Sequence, residues 1–185
     1  EIYFLTFRTA LLLNCPCILL FNLLVMQIVR SSVQSLKRKF WMAVALTALS
    51  LLLMRFLTNG LAGSVIVEFE MAKTTEKAKA LMESWGSDGL SRFIRGIYVD
   101  FIFIGCYVAA LFFGCRYMGH LSGHSIFKNA GYIFSYLALI AGICDILENI
   151  CMLFTINKQV VAWVVHFAYD MAFVKFSLIF IVLLF

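Results

Sequence analysis

The sequence predicts an all-α fold: a polytopic transmembrane helical bundle with about five spans and one short amphipathic interfacial helix. Three observations lead there. Only 14% of the residues are charged and 63% are hydrophobic, with a mean hydropathy of +0.97, whereas soluble domains carry about 25% charge. A chain of 185 residues cannot hide that much apolar surface in one soluble core. The apolar residues also fall into runs of about 20, the length at which a helix crosses hydrocarbon. A membrane β-barrel would show short alternating segments instead.

Residues 1–185 read as a single domain. The first span is expected at roughly 11–29, with Pro16 removing a backbone donor and kinking it unless the helix starts there. The segment has Arg8 inside its start and basic residues at its far end, the reverse of a signal peptide, whose basic part comes first, so it is read as retained. The chain opens on Glu1 rather than Met, so it is processed or its true N-terminus is missing, and it closes on the apolar run Phe176–Phe185, beyond which a polar tail is expected. Arg30–Lys39 is expected to be a basic loop, followed by a second span at roughly 40–61 that frays around Asn59, Gly60 and Gly63.

The polar stretch Glu68–Arg95 comes next. Thr74 or Thr75 can cap a short helix at roughly 74–85, with Glu76 well placed in its first turn. Met71, Ala78, Leu81, Met82 and Trp85 recur at helical spacing. That stripe suits either a surface helix anchored by Trp85 or a linker helix packed on the bundle. Further spans are expected at roughly 96–117, 131–154 and 160–185, with a Gly- and His-containing loop from Arg116 to Lys128. The short loop Thr155–Gln159 makes the last two spans antiparallel neighbours.

The formal net charge of +5 does not point to nucleic acid, because the positive residues lie between apolar runs, where they set topology and meet lipid head groups. Basic residues around Lys37–Lys39 and at Arg116 and Lys128 place those two loops on the cytoplasmic or matrix side. With five spans, the N-terminus is then outside and the C-terminus inside. The balanced charges of Glu68–Arg95 partly oppose this. The six cysteines sit in or beside apolar runs and behave as small hydrophobes rather than a disulfide framework.

Ionisable residues inside apolar spans are costly and usually face one another or a polar cavity. Asp145, Glu148 and Asn149 stand at i, i+3 and i+4, Asp100 lies in another span, and His166 and Asp170 lie in the last. Arg55 belongs to the outer half of the second span, and Glu68 and Glu70 follow it. Arg55, Glu70, Asp100, Asp145, Glu148, Asn149, His166 and Asp170 are therefore the candidate ligand-binding set, gathered in the outer half of the bilayer. Helical spacing gives Asp100, Tyr107 and Gly114 one stripe, and Ser135, Ala138, Gly142, Asp145 and Asn149 another. His166, Asp170, Phe173 and Ser177 share a face of the last span, and Lys175 points elsewhere, to pair with another subunit, to meet a carboxylate in a neighbouring helix, or to snorkel inward.

The set allows buried locking pairs such as Arg55–Glu148 or His166–Asp145, a functional pocket, or groups merely wet at the interface. For acid–base chemistry the candidates are Asp145, Glu148 and His166. No metal site is expected, because E-x-x-H and H-E-x-x-H spacings are missing and His120 and His124 lie in the opposite loop. No cofactor fingerprint or nucleophile motif occurs.

Phe69-Glu70-Met71-Ala72, the helix ending in Trp85, Asp100, Asp145-Ile146-Leu147-Glu148-Asn149 and Lys175-Phe176 together support a resemblance. Over Phe69–Phe176 the chain resembles a family of small bacterial-type four-helix membrane proteins of unassigned function. The resemblance implies a topology and a choice of residues, with no activity to transfer, and the first span would be an addition to the family's four.

Two functional readings follow. The first is an accessory or structural subunit of a larger membrane complex, with membrane lipids and other subunits or further copies as partners. An assembly of the mitochondrial inner membrane fits it without being required. The second is an intramembrane enzyme or carrier for a small lipid or hydrophobic ligand, using a carboxylate-lined pocket.

Overall fold

The computed structural model describes residues 16–58, 63–157 and 160–185. The expectations that rest on Arg8, Cys15, the start of the first span, Asn59, Gly60 and Lys158 lie outside them. Five helices follow one another: α1 (Pro16–Leu57), α2 (Gly63–Glu70), α3 (Thr75–Leu121), α4 (Ser125–Asn157) and α5 (Ala162–Leu183). Among the described residues, four stretches are long and apolar enough to cross a membrane: Ser32–Leu57 within α1, and α3, α4 and α5. The chain is a helical bundle that fits an integral membrane protein.

The expected loop at Arg30–Lys39 is helix instead. α1 runs unbroken for 42 residues, about 63 Å at 1.5 Å per residue, which is twice the hydrocarbon thickness. The segment Arg30–Lys39 contains neither Gly nor Pro, and Lys37, Arg38 and Lys39 are exposed, so nothing stops the helix there. The first two expected spans are thus joined in one helix, and four candidate spans lie among the described residues. The same happens at the next loop. α3 continues to Leu121 and α4 begins at Ser125, leaving a three-residue turn in which Gly123 takes the left-handed conformation with φ 73°.

The helices pack in chain order: α1 along α3, α3 along α4, and α4 along α5. Close approach depends on small residues. A Cβ on Gly131 would lie 2.6 Å from the Cys115 carbonyl oxygen, and one on Gly142 would lie 2.5 Å from Val108 Cγ2. Phe40 packs over Gly114, and Thr58 over Gly96 at the other end of α1, so α1 and α3 are antiparallel. The small stripe foreseen on α4 is fully inside, with Ser135, Ala138, Gly142, Asp145 and Asn149 all buried.

α3 is two helices joined at Gly86 (φ 62°, ψ −174°). Its first part is capped by Thr74, whose hydroxyl accepts from Lys77 N at 3.3 Å. Glu76, Lys77, Lys79 and Glu83 are exposed there, which keeps this part out of hydrocarbon. Of the two roles its apolar stripe allowed, packing on the bundle is the one seen. Ala78 is buried with Phe69, Phe93, Ile97, Met152 and Val165, and Leu81, Met82 and Trp85 pack against them. Trp85 lies 4.7 Å from the Phe93 ring and 5.4 Å from Phe69. α2 belongs to the same end of the bundle, where it contacts α3 and α5 and brings Glu70 inward.

Candidate functional site

Lys175 is the centre of the buried polar group: of the roles open to it, meeting carboxylates of a neighbouring helix is the one seen, and the face of α5 expected to carry its site residues is not the buried one. Its Nζ lies 2.8 Å from Asp145 Oδ1, 2.8 Å from Glu148 Oε2 and 3.5 Å from Glu70 Oε1. The correction is one of helical phase. The buried stripe of α5 is Ala168, Ala172, Lys175 and Val182, whereas His166, Asp170 and Phe173 face outward. The last span does present one ionisable group to the bundle, but on the face defined by its alanines.

Three elements supply the acids. The phase of α4 puts Asp145 and Glu148 on its buried face, and α2 delivers Glu70 from the bundle end. Glu148 is 0% exposed, Lys175 4%, Asp145 5% and Glu70 7%. Tyr107 of α3 donates its hydroxyl to Asp145 Oδ2 at 2.7 Å. One helical turn nearer the α2 end, Asn149 donates from Nδ2 to Asp100 Oδ2 at 2.7 Å. Lys175 lies about 20 Å along α5 from Ala162, by the helical rise. The group therefore reaches mid-span rather than staying in one outer layer.

Of the expected site residues, Glu70, Asp100, Asp145, Glu148 and Asn149 are brought together. Arg55, His166 and Asp170 are not, since each is exposed on an outward face. The expected pairs Arg55–Glu148 and His166–Asp145 are replaced by Lys175, which takes both carboxylates. For acid–base work this leaves Asp145 and Glu148 without the histidine. Tyr107 and Lys175 are the two site residues that the candidate list lacked.

Beside the group lies a cavity of about 480 Å³, lined by Glu70, Asp100, Asp145, Lys175 and Tyr107, with Thr47 and otherwise apolar residues including Phe103, Leu111 and Ile179. Lys175 also sits 4.9 Å above the Phe176 ring, another wall of the same space. Among the described residues, two carboxylate oxygens, Glu70 Oε2 and Glu148 Oε1, find no hydrogen-bond partner, and Glu148 Oε2 meets the ammonium only as an ion pair. Full ionisation would leave one positive charge against three negative ones around Nζ. Among the described residues, no group of His, Cys, Asp and Glu is arranged to hold a metal ion.

Compared with known proteins, the chain matches no family model, no curated protein and no solved structure.

Proposed function

We propose that this is a membrane-embedded binding protein, a receptor or carrier for one small amphipathic ligand. The polar head would meet the Lys175 group, and the apolar body would lie along Phe103, Leu111 and Ile179. The observation that carries this reading is the coincidence of the 480 Å³ cavity with the buried charges. Small-molecule sites are mostly apolar clefts of about 300–1,000 Å³ with a few convergent polar groups. Intramembrane ionisable residues mark such sites more often than they mark plain packing.

In this reading the bundle crosses the membrane four times. The end bearing Lys37–Lys39, Arg116 and Lys128 faces the cytoplasm or matrix, and the end bearing α2 faces the opposite side. The test is photolabelling in lipid nanodiscs with single-chain C12 probes carrying a diazirine and an alkyne. Adducts are expected on Phe103, Leu111 or Ile179, and Ala110→Phe, which fills the cavity, is expected to abolish them. Labelling confined to outward residues such as Phe56 or Phe180 would overturn the proposal.

A second reading, an accessory subunit of a larger membrane complex, is supported by the internal pairing of Lys175, Asp145, Tyr107, Asp100 and Asn149. It predicts that the protein purified in mild detergent migrates on native gels with other membrane subunits. Migration as a free chain would count against it.

A further inference from the structure

We infer that the ligand head is a primary ammonium, so that the protein binds a membrane-borne, single-chain amphipathic amine. This rests on the binding reading above and adds the chemical class of the ligand.

An ammonium has three N–H donors; Lys175 donates to Asp145 Oδ1 and is held in ion pairs by Glu148 and Glu70. The Tyr107 hydroxyl is spent on Asp145, and that of Thr47 on the Ala43 carbonyl at 2.8 Å. Asn149, behind the wall, is spent on Asp100. The side-chain donors facing the cavity are therefore already engaged, while acceptors remain. Glu70 lines the cavity, is 7% exposed, and its Oε2 has no partner. Asp100 lines the same wall, and only its Oδ2 is hydrogen-bonded.

With these carboxylates ionised, a ligand entering this space meets acceptors and surplus negative charge. A carboxylate or phosphate head would add to that charge and find no donor. A hydroxyl would satisfy one oxygen and balance nothing. An ammonium supplies three donors and one positive charge, beside Glu70 and Asp100. The rest of the wall is apolar, which suits a hydrocarbon chain and not a water-soluble amine.

The experiment compares three nanodisc photoprobes that share one C12 chain and differ only in head: amine, alcohol and carboxylate. The amine is expected to label the cavity about tenfold more than the alcohol, since hydrogen bonds to charged groups exceed neutral ones by that order, and the carboxylate is expected to label least. Glu70→Gln keeps the shape and touches the longest of the three Lys175 contacts. It should cut amine labelling about tenfold and alcohol labelling far less, and the persisting alcohol signal reports an intact fold. Excess butylamine in the aqueous phase is expected not to compete, whereas excess sphingosine in the bilayer is.

Equal labelling by alcohol and amine, a preference for carboxylate, or an amine preference that survives Glu70→Gln would each overturn the ammonium assignment. Competition by butylamine as strong as by sphingosine would overturn its membrane-borne origin. Failure of all three probes to label the cavity would instead remove the binding proposal beneath it.

Discussion

Replacing Lys175 with Met tests the site most directly. The side chains are similar in length, so the change removes a charge and little volume. It takes away the cation 2.8 Å from both Asp145 and Glu148 and 3.5 Å from Glu70, leaving three buried carboxylates facing one another. Breaking a buried pair in this way costs about 3–5 kcal/mol, whereas an exposed pair would cost about 0–1 kcal/mol. At 4% exposure, Lys175 belongs to the first case. Reversible unfolding in bicelles measures the loss. A second arm adds Glu148→Gln, which removes one orphaned charge. The double variant is expected to recover part of the loss, with a coupling of about 1–3 kcal/mol. A Lys175→Met protein within about 1 kcal/mol of the parent, or a cycle additive within about 0.5 kcal/mol, would refute the claim that the lysine holds the acids together.

Gly131→Ala puts a methyl group 2.6 Å from a backbone oxygen that cannot yield, so α3 and α4 must part. A loss of about 1–3 kcal/mol is expected in thermal unfolding, against none for Gly105→Ala, whose Cβ meets nothing within 4 Å. Gly86→Ala meets no atom either, but its backbone (φ 62°, ψ −174°) is a region that side chains avoid at about 1–3 kcal/mol. Hydrogen exchange should speed up in Thr75–Trp85 and not in the remainder of α3. Glu76, on the exposed first turn of α3, is held below its ordinary 4.5 by hydrogen bonding from its own backbone N–H and from the Thr75 hydroxyl. A depressed folded value contributes stability that is present above 4.5 and lost as pH falls through the folded value. Amides of Lys77–Ala80 should lose protection on acidification below about pH 4, and Glu76→Gln should remove that dependence.

Hydropathy located the apolar stretches well, because what it measures is where a helix meets lipid. It does not measure where a helix ends. Arg30–Lys39 and Arg116–Lys128 both read as loops because charge leaves hydrocarbon there, yet backbone hydrogen bonding continues until a residue interrupts it. α1 meets no Gly or Pro between Arg30 and Phe40 and runs on. α3 stops only near Gly123. The turn between α4 and α5 was legible because the loss of apolar periodicity and the helix ends coincide there.

Within the site, the acids of α3 and α4 were legible because charge and small residues fall on one helical face, as Gly142, Asp145 and Asn149 do. Arg55, His166 and Asp170 misled for a physical reason. The cost of an ionisable group in a span applies only where the side chain cannot reach water or protein, and Arg55 and His166, toward helix ends, can reach outward. Asp170 adjoins Tyr169, whose ring has Lys73 at 5.6 Å, so the connection between α2 and α3 comes down beside that level.

Lys175 shows which rule should have decided. Two criteria competed on α5. Charge alone grouped His166 with Asp170, whereas side-chain size grouped Ala168 with Ala172 and, one turn further, Lys175. Helices in lipid approach through small residues, so size locates the interface, and an ionisable group in phase with it is the one that is buried. The same rule applied to α4 selects Ser135, Ala138, Gly142 and Asp145, all of which are inside. With Lys175 in phase, an α5 cation must meet the α4 acids, since the two helices are antiparallel neighbours and nothing else on α4 at that level can balance it. Glu70 enters by another route. It lies outside every span, and only the short α2, folded back over the bundle end, brings its carboxylate to the ammonium. A contact of that kind has no periodicity to betray it.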